Sequence, residues 1–278
     1  MTTDSLNNQS SDARVSVEIK NQVAYVRLSR PAKRNALDMA MFDAIVKAVK
    51  ALRRDRSIRA VIVSGEGEDF CSGLDVKSVL KSMKGPLRLM YKFFPWRSNM
   101  AQRVSTDWQR IGAPVIMAIH GRCWGGGLHI ALGADIRIAT PDASLSIMEG
   151  RWGLIPDMGG LVALRQHCRL DIAKELTMTA KIISGTEAQQ LGLVTHISQE
   201  PMVQAEALAN DIISQSPDSV AAVKKLYNKS WHGSKAMLLM RESWYQVKII
   251  LGKNSKIKAY NQTHDEDKQK PFNNRKRW

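Results

Sequence analysis

At 278 residues, 44% of them hydrophobic, the chain is long enough for one large domain with a substantial core. A net charge of +15 points to an anionic partner, whether a phosphorylated small molecule, a nucleic acid or an acidic surface, and does not choose among them. Cys71, Cys123 and Cys168 form no close pair, the polar N-terminus has no apolar signal core, and no run approaches the roughly 20 apolar residues of a membrane span, so the composition argues against a disulfide framework, a cysteine-based metal site, secretion and membrane insertion and predicts a cytoplasmic protein.

Residues 1–14 are rich in Ser, Asn, Thr and Asp and read as a tail. Alternating Val15, Val17 and Ile19, a turn at Asn21-Gln22, and Val23, Tyr25, Val26 and Leu28 predict a hairpin. Leu37, Met41, Ile45, Ala48 and Leu52 recur at helical spacing, and Arg59–Ser64 follows as a short buried strand. A second helical region ends before Ala113. Strands at Pro114–His120 and Ala134–Ala139 then flank a glycine-rich turn that opens a helix. Strands separated by helices predict a mainly parallel sheet with right-handed crossovers. Beyond Gly153 the pattern turns helical, with segments at Thr186–Leu191, Met202–Ser214 and Asp218–Tyr227, and the charged stretch 264–278 reads as a solvated tail.

Two glycine turns carry the chemical signal. In Phe70-Cys71-Ser72-Gly73-Leu74-Asp75, Gly73 permits a sharp turn that leaves the Leu74 amide free to point into a cleft. In Trp124-Gly125-Gly126-Gly127-Leu128-His129, three glycines let a ligand approach the backbone at a helix N-terminus, where negative charge is favoured. Neither a Walker lysine nor the spaced glycines of a dinucleotide fold are present. Two such turns ending neighbouring strands supply converging amides, as an oxyanion requires.

With SRPAKRNAL at 29–37, FCSGLD at 70–75, HGRCWGGGLHIALGADIRIA at 120–139 and LSIMEGRWGLIPDMGG at 145–160, the chain resembles the crotonase superfamily of enoyl-CoA hydratases and isomerases over about residues 15–230. The resemblance implies an α/β fold with a repeated ββα spiral core over 15–200, a helical oligomerisation region over 201–263, a basic tail over 264–278, and assembly as a homotrimer or hexamer. It implies an acyl-CoA thioester as substrate, with coenzyme A part of that substrate and no separate cofactor or metal. It pairs the amides of Leu74 and Gly126 as the oxyanion hole.

The resemblance also assigns the carboxylates. Family hydratases hold water between two glutamates, and this chain has His129 at the first of those positions and Glu149 at the second. Family isomerases need only the second, which moves a proton from one carbon to another. Asp157, eight residues after Glu149, matches the second acid of dienoyl-CoA isomerases, although those enzymes carry an aspartate where His129 stands. Asp157 also suits a helix cap after Pro156. His129, neutral near a helix N-terminus, is open to reading as a weak base, a hydrogen-bond donor or a packed replacement. Coenzyme A falls to Arg30, Lys33, Arg34 and Ala36 with backbone near Asp75 and Val76, and Lys268, Lys270 and Arg275 are placed to reach a neighbouring subunit's ligand. Isomerisation of an unsaturated acyl-CoA is the leading expectation and hydration its rival. The charge admits a nucleic-acid-binding protein, for which Tyr91, Phe93, Phe94 and Trp96 with Lys92 and Arg97 form the one aromatic-basic cluster; the family reading makes that cluster an acyl-pocket helix.

Overall fold

The computed structural model describes residues 13–79, 81 and 83–278; most of the 1–14 tail lies outside them. The hairpin forms as β1 (Val15–Lys20) and β2 (Val23–Leu28), antiparallel, with Asn21 and Gln22 both at positive φ in the turn. Arg14 already belongs to the fold, because its guanidinium reaches Asp38 at 3.0 Å. Asp38 in turn caps α1 (Met39–Arg54) by accepting from the Met41 amide, and α1 buries the predicted stripe of Met41, Ile45, Ala48 and Leu52, with Phe42 and Val49.

β3 (Ala60–Gly65) pairs parallel with β2. Three short helices follow, α2 (Val76–Val79), α3 (Lys84–Met90) and α4 (Met100–Thr106), the last closed by a capping box between Asn99 and Gln102. β4 (Val115–Ile119) pairs parallel with β3, β5 (Arg122–Trp124) leads into α5 (Gly126–Leu132), and β6 (Ile136–Ala139) pairs parallel with β4. Further along lie β7 (Ser144–Ser146), α6 (Gly160–His167), α7 (Leu170–Thr179), β8 (Ile183–Ser184), α8 (Gly185–Gln190) and β9 (His196–Ile197). The chain closes with α9 (Pro201–Ile213), α10 (Pro217–Ser230), α11 (Lys235–Ile250) and α12 (Lys253–Gln262).

The main sheet runs β1-β2-β3-β4-β6-β9, parallel beyond its first pair, and a smaller sheet runs β5-β7-β8. Alternation along the strands divides the core. Val61 and Val63 face the large cluster built on α1, whereas Ala60 and Ile62 join Ile116 and Ala118 against Ala205 and Ala209 of α9. The result is a mixed α/β core of alternating strands and helices with further helices at the C-terminal end, as the resemblance implies.

Two expectations change. The aromatic cluster is not a helix: α3 ends at Met90, and residues 91–99 form an irregular loop in which Phe93 and Trp96 are about four-fifths exposed. The 264–278 segment is solvated only in its first part: residues 264–271 are exposed, and the chain docks through Asn273, Arg275 and Lys276. Buried Asn254 donates to Asp218 and to the Asn273 carbonyl, Lys276 donates its amide to Asp218, and Arg275 is buried with its guanidinium on the carbonyls of Asp55 and Ile58. A guanidinium carries five donors, so enclosed carbonyls hold it where a solvated tail was expected. Arg275 therefore faces its own subunit.

Candidate active site

The site begins where parallel pairing aligns the C-terminal ends of β3 and β4. After β3 the chain turns through Glu68 and Asp69, and Cys71 enters a parallel bridge with Cys123 of β5, donating to Arg122 and accepting from Trp124. Asp69 locks the two turns together, meeting the Arg122 guanidinium at 3.0 Å and accepting from the Arg122 amide.

This pairing sets the direction of the Leu74 amide. Leu37 donates to the Gly73 carbonyl and accepts from the Asp75 amide, which turns the intervening Leu74 N–H away from Leu37, and among the described residues that N–H has no acceptor. Gly73 makes the turn at φ +89, and a Cβ there would lie 2.7 Å from the Trp124 carbonyl and 3.4 Å from the Gly126 nitrogen. On the facing turn, Gly125 donates to Ser146, whereas Gly126, first in α5, has no acceptor among the described residues. Two unpaired amides thus open side by side at a helix N-terminus.

Glu149 arrives from the smaller sheet. β7 pairs with β5, and three residues on, the Glu149 carboxylate oxygen Oε1 lies 3.3 Å from where a Cβ on Gly125 would stand. Its side chain is 12% exposed, one oxygen is buried without a partner, and burial pushes the carboxyl up to about 7, with the charge of Asp157 adding to the rise. His129 Nε2 lies 3.6 Å from Glu149 Oε1. The imidazole is buried against Gly160, where a Cβ would meet its ring at 2.5 Å, and burial lowers its pKa to about 4. At neutral pH the pair is therefore an uncharged imidazole beside a carboxyl near its midpoint. Asp157 is exposed in the loop before α6, and the cap of that helix is Gly159, so the capping reading of Asp157 does not hold.

The basic loop divides into two kinds of cation. Arg30 is largely enclosed, 2.8 Å from Asp75, 3.4 Å from Asp38 and bonded to the Ala36 carbonyl, and this pairing, with capping of Ser78, holds the Asp75 carboxyl low although burial opposes it. It braces the turn that carries Leu74. Lys33 and Arg34 are exposed, Arg34 being left-handed at φ 51, and they with Ala36 and Val76 border the same turn. Sequence reasoning passed over Asn35, fully buried at positive φ, which donates to the carbonyls of Glu66 and Asp69 and ties the basic loop to the first glycine turn. An asparagine inside a turn motif is its one sequence signal, since Asn tolerates left-handed backbone.

The family model for enoyl-CoA hydratase/isomerase matches residues 18–275. The chain is 34% identical over 213 residues to the mouse mitochondrial Delta(3,5)-Delta(2,4)-dienoyl-CoA isomerase, a match that takes in 74% of this chain and 65% of the mouse protein, so it spans slightly under two thirds of that relative. It is 31% identical to enoyl-CoA hydratase EchA19 of Mycobacterium tuberculosis, over 74% of this chain and 77% of that protein. Among solved structures, an enoyl-CoA hydratase from Bacillus anthracis superposes with a TM-score of 0.83 at 26% identity, covering 94% of this chain and 99% of that one. Motif order, fold and sequence agree, and the chain belongs to the enoyl-CoA hydratase/isomerase family of the crotonase superfamily.

Proposed function

We propose that this chain shifts a carbon–carbon double bond within an unsaturated acyl-CoA thioester. One observation carries the reading: a single desolvated carboxyl, Glu149, stands beside two unpaired amides, with a neutral buried histidine where a family hydratase has its other glutamate. Glu149 takes a proton from the carbon alpha to the thioester carbonyl, and the electron pair moves onto the carbonyl oxygen, leaving an enolate conjugated with the neighbouring double bond. The Leu74 and Gly126 amides stabilise that oxygen, and the same carboxyl returns the proton at another carbon. A carboxyl near 7 suits both halves of the exchange, since each protonation state is populated at neutral pH. Lys33 and Arg34 are the cations available to coenzyme A phosphates, with Arg30 holding the loop. The similarity to a protein named as a dienoyl-CoA isomerase, with Asp157 near Glu149, supports a conjugated diene as the substrate class.

The test is a panel of trans-2-enoyl-, β,γ-enoyl- and dienoyl-CoA esters with purified protein and three variants. Glu149→Gln is expected to lose on the order of 10²–10⁴-fold in isomerisation and in α-proton exchange, with ester binding nearly intact. Matching loss in Asp157→Asn assigns a two-carboxylate dienoyl shuttle. Robust hydration of a trans-2-enoyl-CoA that collapses in His129→Ala would make the chain a hydratase, a reading that EchA19 brings forward. Full activity of Glu149→Gln on every ester removes Glu149 as the base.

A further inference from the structure

A basic cleft lies at the opposite end of the sheet from the glycine turns. α1 starts beyond the C-terminal end of β2 and finishes at Arg54, six residues before β3 begins, and the 3₁₀ turn Asp107–Arg110 likewise precedes β4, so both lie at the N-terminal edge of the parallel strands. The glycine turns lie at the C-terminal edge, about 20 Å away along a six-residue strand. At the N-terminal edge a cleft of about 920 Å³ opens between α1, that turn, α10 and the C-terminal segment. Its volume falls within the usual range for small-molecule sites, about 300–1,000 Å³.

Among the described residues no aspartate or glutamate lines this cleft, and ten Lys and Arg side chains do. Three are engaged within the fold. Lys224 is buried 2.6 Å from Asp135, Arg110 pairs with Asp107, and Arg275 holds backbone carbonyls. The others approach from three directions: Lys50, Arg53, Arg54 and Arg56 from α1 and the loop after it, Lys225 and Lys229 from α10, and Arg277 from the C-terminal segment. None of these has an ion-pair partner among the described residues. Helix dipoles account for Arg53 and Arg54 in the last turn of α1 and for Lys229 in the last turn of α10, but not for Lys50, Arg56, Lys225 and Arg277, which border the same space. Burial and the charges of Lys229, Lys248 and Arg277 push the Lys225 ammonium pKa down, so like charges are held together without a counter-charge.

We propose that this cleft binds a compact anion carrying a chain of phosphate groups. The convergence of cations from facing elements suits a short ligand neutralised on both sides. A nucleic-acid strand would use an open basic track with several stacking rings, and Trp278 is the one aromatic residue in the lining.

The experiment is calorimetric titration of the full chain with tripolyphosphate, ATP, sodium sulfate and a 12-nucleotide single strand, at low and at physiological salt, for wild type, Lys225→Gln/Lys229→Gln and Glu149→Gln. Saturable 1:1 binding of tripolyphosphate is expected, weakening with salt and falling at least about tenfold in the double variant while Glu149→Gln binds as wild type. ATP binding at least as tightly, with the same loss in the double variant, identifies a nucleotide as the source, and ATP binding more weakly than tripolyphosphate identifies the bare phosphate chain. The unliganded double variant should melt at or above the wild-type temperature, because it removes repulsion. No saturation at millimolar tripolyphosphate, equal binding in the double variant, or tighter binding of the oligonucleotide would each overturn the proposal, the last in favour of a nucleic-acid surface.

Discussion

At the scale of single residues, the Glu149 and His129 pair sets the pH behaviour of the site. A base must be ionised to take a proton, so kcat/KM should rise with pH through a midpoint near 7, and Glu149→Gln should flatten that limb. The same shifts fix the stability linkage. The Glu149 carboxyl is raised from 4.5, so its contribution favours the fold fully below 4.5 and is lost as pH rises through about 7. His129 is lowered from 6.5, so its contribution is present above 6.5 and lost as pH falls through about 4. Thermal melts should therefore find Glu149→Gln at least as stable as wild type above pH 7. His129→Ala should cost less than about tenfold in turnover, and by admitting water beside Glu149 should move the activity midpoint below 7. A midpoint unmoved in that variant would mean that the histidine does not control solvation of the carboxyl.

At the scale of elements, the two glycine turns work because neighbouring parallel strands deliver them together. Gly126 is the first residue of α5, where a missing N–H leaves the helix ladder intact, so Gly126→Pro removes one amide donor, although a Cβ there would lie 2.8 Å from the Leu37 and Met158 side chains and make them shift. Turnover should fall on the order of 10²-fold or more, with circular dichroism little changed; retained turnover would remove the Gly126 amide from the mechanism. The turns, α1 and the central strands were legible because their signals are local: a glycine motif, a helical stripe, an unbroken apolar run. The smaller sheet was not, since β5, β7 and β8 are only two or three residues long and too short to show a period. The Arg30 brace was missed for another reason. Its partner Asp75 lies 45 residues away, and a basic loop looks the same in sequence whether its arginine meets a ligand or a neighbouring carboxylate.

At the scale of the whole molecule, the C-terminal helices do not account for their own apolar surface. α11 has no buried residue, and Met237, Leu239, Met240, Trp244, Val247 and Ile250 along it are substantially exposed, as are Trp152, Leu154 and Ile155 beyond Glu149. We expect these faces to be covered in a homotrimer or hexamer, as the family resemblance implies. Sedimentation should show that assembly, and Trp244→Asp should shift it toward smaller species; a monodisperse monomer at micromolar concentration would leave the apolar faces unexplained. The sequence could not separate a solvated basic tail from a docked one, because the charge of Arg275 is visible there and the carbonyls that receive it, more than 200 residues upstream, are not. That separation has a kinetic consequence. A contact closing so long a loop is entropically the last to form, so Arg275 is expected to be unstructured in the folding transition state and formed only on its native side. Arg275→Ala should then leave the folding rate nearly unchanged and raise the unfolding rate, making this one buried guanidinium a latch on the lifetime of the native state.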